Sequence, residues 1–244
     1  MASKKVHTAV LRRQVRWASA PVGRRRQHVN PLAAKFQRPL LPKLNDAGIG
    51  FRKVLAPLHL DLGSNTGEWV EQLSKENRAT NFIGVEIRPA LVVAALARTE
   101  SLRSSDCNLC YIEASINAAA EELLEDVSKA RAPLRCVSIM HPDPWFKRRH
   151  IKRRMFTPEL IRACAEHLES GGAFLFQSDV RETFNAMLEL VESTDALVRD
   201  EAVRVDDSQG GFFRATNGAY IRTERETSTL RKGGAIYRAR FVKQ

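Results

Sequence analysis

The stretch HPDPWFKRRHIKRR, residues 141–154, sets one acid, Asp143, between Pro142 and Pro144 and then crowds six cations into eight positions. Proline joins neither a sheet ladder nor a helix interior, so Asp143 is expected in a stiff loop, where positioning a carboxylate for chemistry costs less entropy. The alternative is a simple turn acid. Lys147, Arg148, Arg149, Lys152, Arg153 and Arg154 could grip the phosphates of a polyanion or form a solvated basic face. A second cluster lies upstream in DLGSNTGEW, where Asp61, Gly63 and Gly67 mark a sharp strand-to-helix turn open to a ligand. The strict G-x-G-x-x-G pattern is absent, since Asn65 and Thr66 follow Ser64. Glu86 comes about 20 residues after that loop, the spacing at which an acid can accept both hydroxyls of a ribose. It could equally pair with Arg88. Asn117 could meet a purine edge or cap the helix that follows it.

These residues fall at the ends of a regular alternation. Apolar runs at 57–64, 81–87, 109–115, 134–140 and 173–179 read as strands, and the segments between them carry helical spacing. Pro89 suits the first turn of one helix; Thr157 and Pro158 suit the N-cap and first turn of another, with Gly171 and Gly172 at its exit. Strands alternating with helices of about a dozen residues imply βαβ units, hence an α/β fold with a mostly parallel sheet covered on both faces. Segments 197–205 and 235–242 are expected to close the sheet as late antiparallel strands. Ligands of such sheets bind at the carboxyl ends of the strands, which is where all the residues above are placed.

Composition narrows the partners. Eleven of the 39 Lys and Arg precede Asp46, the first acid, leaving 28 basic against 28 acidic residues, so the whole net charge of +11 sits in residues 1–45. That segment lacks hydrophobic periodicity and reads as a basic arm preceding a domain over 46–244. An arm of this composition serves nucleic acid binding, acts as an organellar transit peptide or is merely a tail. The compartment therefore stays open between cytoplasm, mitochondrion and plastid. No run of about 18 apolar residues exists, so no membrane span is expected. Cys107, Cys110, Cys136 and Cys164 include one C-x-x-C without a second pair or a C/H partner set, so no metal is expected and reduced thiols are the better reading.

DLGSNTGE, GVEIR, HPDPWFKRRHIKRR, SGGAFLFQSD and TERE followed by GGAIYRARF resemble, in order, the motifs of the tRNA (guanine-N7)-methyltransferase family, from about residue 47 onward. The resemblance implies a Rossmann-like class I methyltransferase with a seven-stranded sheet, S-adenosylmethionine as cofactor and a variable-loop guanosine of tRNA as target. By motif, Asp61, Gly63 and Gly67 would hold the methionine end of the cofactor, Glu86 and Arg88 the ribose, Asn117 and Ala118 the adenine, and Met140 would line the pocket. Asp143 matches the catalytic acid. Lys147, Asp179, Thr223 and Glu226 match positions that bind the target guanosine, and Arg148, Arg149, Lys152, Arg153 and Arg154 would contact RNA phosphates. Arg225 stands where some members carry an acid. Eukaryotic relatives use a non-catalytic partner subunit, which the resemblance leaves open here. Guanine N7 carries an exposed lone pair and no proton, so the implied transfer needs alignment more than a base. The sequence also accommodates a class I methyltransferase with another substrate and a non-catalytic RNA-binding protein on the same fold.

Overall fold

The computed structural model describes residues 29–37, 51, 55–99, 107–129, 133–145, 148–203, 205 and 208–244. The remainder of the basic arm (residues 1–28 and 38–45) and Lys147 lie outside the described residues. In chain order the elements are β1 (Leu58–Leu62), α1 (Glu68–Glu76), β2 (Asn81–Glu86), α2 (Pro89–Arg98), β3 (Leu109–Glu113), α3 (Ile116–Lys129), β4 (Leu134–Met140), α4 (Pro158–His167), β5 (Ala173–Ser178), α5 (Arg181–Glu192), β6 (Leu197–Arg199), α6 (Glu224–Arg231) and β7 (Tyr237–Lys243). Short 3-10 turns occupy Ala34–Phe36 and Arg148–Arg153.

The seven strands form one sheet in the order β3-β2-β1-β4-β5-β7-β6. The first five are parallel, while β7 runs antiparallel between β5 and β6. Every residue of β1 and β2 is buried, as expected of central strands covered on both faces. Chain order reverses between β1 and β4, so the connections leaving these neighbours diverge to opposite faces and open a crevice at their carboxyl ends. Asp61 near the end of β1 and Met140 at the end of β4 flank it.

The local signals of the sequence operate here. Thr157 accepts a hydrogen bond from the Leu160 N–H at 3.3 Å and Pro158 opens α4. Thr223 caps α6 in the same way through the Glu226 N–H at 3.1 Å. Strand β6 stops at Arg199, short of the expected 205, because the Asp200 carboxylate accepts the Ala202 N–H at 3.0 Å and the Asp200 carbonyl accepts that of Val203 at 3.1 Å. An aspartate that folds the chain onto itself ends the ladder. A cluster of Phe156, Phe174, Phe176, Phe184 and Phe241 fills the core beside β5 and β7, with Phe176 at 5.3 to 6.1 Å, ring to ring, from the other four.

Gly67 ends the first turn at φ +76°, and a Cβ there would lie 2.4 Å from Tyr111 Cε1. Tyr111 is buried and donates its hydroxyl to the Gly67 carbonyl at 2.8 Å. Gly67→Ala therefore combines a left-handed backbone with a clash against a packed ring, a cost of about 2–4 kcal/mol. Thermal unfolding is expected to shift down by roughly 5–15 °C; an unchanged midpoint would contradict the packing role.

Candidate active site

The crevice is a cavity of about 490 Å³, of the size that takes a small-molecule ligand. Its walls include Asp61, Gly63, Glu86, Arg88 and Asn117 from the β1–β2–β3 side and Met140, Asp143, Asp179 and Thr223 from the β4–β5–α6 side. Gly67 and Ala118 are outside the wall. Gly67 turns its face to Tyr111, and the Ala118 N–H is taken by the Ser115 carbonyl at 2.9 Å. Asn117 sits within the first turn of α3, after Ser115 and Ile116, so it is not the cap; its amide donates to the Arg154 carbonyl at 2.8 Å.

Asp61 is buried, and Ser138 of β4 donates to its Oδ1 at 2.6 Å. Burial pushes the Asp61 carboxyl up to about 7; the Ser138 hydrogen bond opposes the rise and the charge of Glu86 adds to it. Since the Ser138 hydroxyl donates to Asp61, it accepts from His59 Nε2 at 2.8 Å. Burial lowers His59 to about 3, which keeps this imidazole neutral among Trp69, Phe82 and Phe213. A lone serine in the buried run CVSIM was the available sign of this arrangement.

Glu86 is nearly enclosed by donors. Asn65 N–H reaches Oε2 at 2.9 Å, while Arg88 supplies its backbone N–H at 3.0 Å, Nε at 2.8 Å and Nη2 at 3.1 Å. The Arg88 pairing that the extended spacing permits is thus present. Burial works against the Arg88 charge, but Glu86 and Asp143 together hold its pKa above the ordinary value. One guanidinium consequently feels two carboxylates of the cavity, one from each wall.

The HPDPW loop is stiffened by more than its prolines. His141 and Trp145 adopt φ +53° and +39°, conformations uncommon for residues with a side chain. His141 N–H donates to the Gln177 carbonyl at 2.8 Å, and Arg154 Nε donates to the Pro144 carbonyl at 3.2 Å. Arg153 lies over the Trp145 ring at 5.1 Å. The basic run is therefore divided: Arg153 and Arg154 brace the loop, whereas Arg148, Arg149 and Lys152 are exposed.

Asp179 receives His141 Nδ1 at 3.4 Å and Arg225 Nε at 2.9 Å. Burial favours its neutral form, yet these hydrogen bonds hold its carboxyl well below the usual range. Glu226 lies deeper, outside the cavity wall, ion-paired to Arg222 at 2.6 Å and to the buried Arg238 at 2.8 Å. Val29 and Pro31, for which the sequence offered no signal, also line the cavity. The four cysteines are free thiols; burial pushes Cys164 up to about 12. Among the described residues there is no His/Cys/Asp/Glu group that could hold a metal, and no helix long and apolar enough to cross a membrane.

A family model described as "Putative methyltransferase" matches residues 55–239. A tRNA (guanine-N(7)-)-methyltransferase of Microcystis aeruginosa is 37% identical over 216 residues, covering 88% of this chain and 96% of the relative. One from Synechococcus sp. is 39% identical over 217 residues, covering 88% and 86%. Among solved structures, the 16S rRNA methyltransferase KamB superposes with a TM-score of 0.51 at 12% identity, covering 81% of this chain and 93% of that one, a likeness of fold. With most of its length matched by such relatives, the chain belongs to the tRNA (guanine-N7)-methyltransferase family.

Proposed function

We propose that this protein transfers the methyl group of S-adenosylmethionine to N7 of a variable-loop guanosine in tRNA. The observation that carries the reading is one cavity, at the sheet's switch point, with Asp61 and Glu86 on one wall, Asp143 and Asp179 on the other, and Arg153 of the basic run at its edge. The wall fits the cofactor. It offers carboxylates to a ligand bearing cationic and diol groups, and Ser64 Oγ is buried there with no hydrogen-bond partner among the described residues. When bound, S-adenosylmethionine supplies an electrophilic methyl on a sulfonium. Asp61 and the turn at Gly63 would hold its methionine end, Glu86 would take the ribose hydroxyls in exchange for part of the Arg88 fork, Asn117 would meet the adenine and Met140 would pack in the wall.

Asp143 would do the work specific to transfer. Its carboxylate can accept the guanine N1–H and amino group, aligning the ring, and its fixed charge favours the positive charge that develops on the purine. Asp179 and Thr223 would contact the same base, and Glu226 would support them from behind through Gln177. The division into a basic arm (residues 1–45) and a methyltransferase domain (46–244) belongs to the same reading, the arm adding charge for RNA. The test is incubation of purified protein with labelled cofactor and unmodified tRNA, followed by mapping of N7-methylguanosine. Label in the variable loop is expected; label elsewhere, or none, would overturn the reading.

Asp61 makes a separate prediction. Its carboxyl, near 7 in the protein alone, is largely protonated at pH 6. A cationic ligand favours the carboxylate, so cofactor affinity is expected to fall as pH drops below 7, by at most about tenfold per pH unit, with proton release on binding. Calorimetry in buffers of different ionisation enthalpy measures this. Asp61→Asn should abolish the proton release, and a wild-type protein that releases none would refute the assignment.

A further inference from the structure

We propose that His141 is a positioning residue for the target base, holding the Asp179 carboxylate from the protein interior; this rests on the reading of Asp179 as a guanosine contact. The Glu226 carboxylate is ion-paired to two arginines and therefore accepts hydrogen bonds only. Gln177 must turn its amide nitrogen, not its oxygen, toward Glu226 Oε2, 3.2 Å away. The same nitrogen lies 2.9 Å from His141 Nε2, so that ring nitrogen accepts. The proton of the neutral imidazole is then on Nδ1, which faces Asp179 Oδ1 at 3.4 Å. Buried geometry thus selects one tautomer and aims its only N–H at a carboxylate of the cavity.

Asp179 is held from two sides that differ in exposure. Arg225, 46% exposed, grips Oδ2 from the solvent side, where an incoming base can displace it. His141, 6% exposed, holds Oδ1 from within and has both ring nitrogens engaged by protein groups, leaving neither for a ligand. Its backbone N–H also joins the HPDPW loop to β5 through the Gln177 carbonyl. Arg225 and the Thr229 hydroxyl, 3.4 Å away, both meet Oδ2, so His141 is the side chain that fixes Oδ1 and ties Asp179 to the loop carrying Asp143.

The experiment compares wild type, His141→Ala and His141→Asn for steady-state methylation of unmodified tRNA, S-adenosylhomocysteine affinity and thermal unfolding. Asparagine tolerates positive φ and carries an N–H donor at the same distance from the backbone as Nδ1. His141→Ala is expected to raise KM for tRNA about tenfold, the cost of one hydrogen bond to a charged group, with kcat and S-adenosylhomocysteine affinity changed less than about threefold. His141→Asn should recover KM to within about threefold of wild type. The inference is overturned if His141→Ala leaves KM unchanged, if asparagine is as impaired as alanine, or if KM, product affinity and unfolding temperature all fail together. Wild-type protein inert toward tRNA would instead overturn the proposed function, and this inference with it.

Discussion

Asp143→Ala is expected to lower the single-turnover rate of methyl transfer by about 10²–10³-fold while leaving tRNA affinity within a few-fold, the size of effect seen when one preorganised electrostatic group is removed. Much of the surrounding structure is devoted to that carboxylate. Two prolines, two residues at positive φ, a backbone hydrogen bond to Gln177 and a guanidinium on the Pro144 carbonyl all restrain a loop of five residues. Restraint of this kind gives little to binding but much to a reaction that depends on alignment. Asp143→Asn separates the two parts of the role, since it preserves shape and one acceptor while removing the charge. If charge on the purine is what Asp143 favours, asparagine should be nearly as slow as alanine. Near-native transfer by both variants would exclude Asp143 from the chemistry.

The second large effect concerns the exposed cations. Reversing Arg148, Arg149 and Lys152 together to glutamate is expected to weaken tRNA binding on the order of a hundredfold near physiological salt and to reduce the slope of log affinity against log salt by about 2. Cofactor affinity should be unchanged, because none of the three lines the cavity. Arg153 and Arg154 are left in place deliberately. The first lies over Trp145 and the second holds Pro144, so changing them would disturb the Asp143 loop as well as any phosphate contact. Fluorescence binding across a salt series gives the slope; an unaltered slope would show that the exposed run does not meet RNA phosphates.

Much of this could be seen in the chain before folding. Strand and helix positions followed from periodicity, because a central strand such as β2 carries a continuous apolar middle, residues 82–85, and a covering helix such as α4 must repeat every three to four residues. Caps at Thr157 and the proline at 158 were local, and local signals survive in any tertiary setting. Asp61, Glu86 and Asp143 were legible for the same reason, each standing at or just past the end of an apolar run where a parallel sheet collects its ligands. The short β6 was not, since its end depends on how Asp200 folds back onto the next turn.

Residue order and spacing alone determined the elements, the carboxyl edge on which the chemistry sits and the acids displayed there. Only the tertiary structure decided which distant donors each acid meets: Ser138 for Asp61, the Asn65 N–H for Glu86, His141 and Arg225 for Asp179. It also divided one basic run into braces and exposed cations, and it turned Gly67 toward Tyr111 and away from the cavity. The physical reason is range. Periodicity, capping and turn chemistry act within a few residues, whereas hydrogen-bond partners and desolvation arise from groups far apart in the chain that only packing brings together, such as Asp61 and Ser138, 77 positions apart.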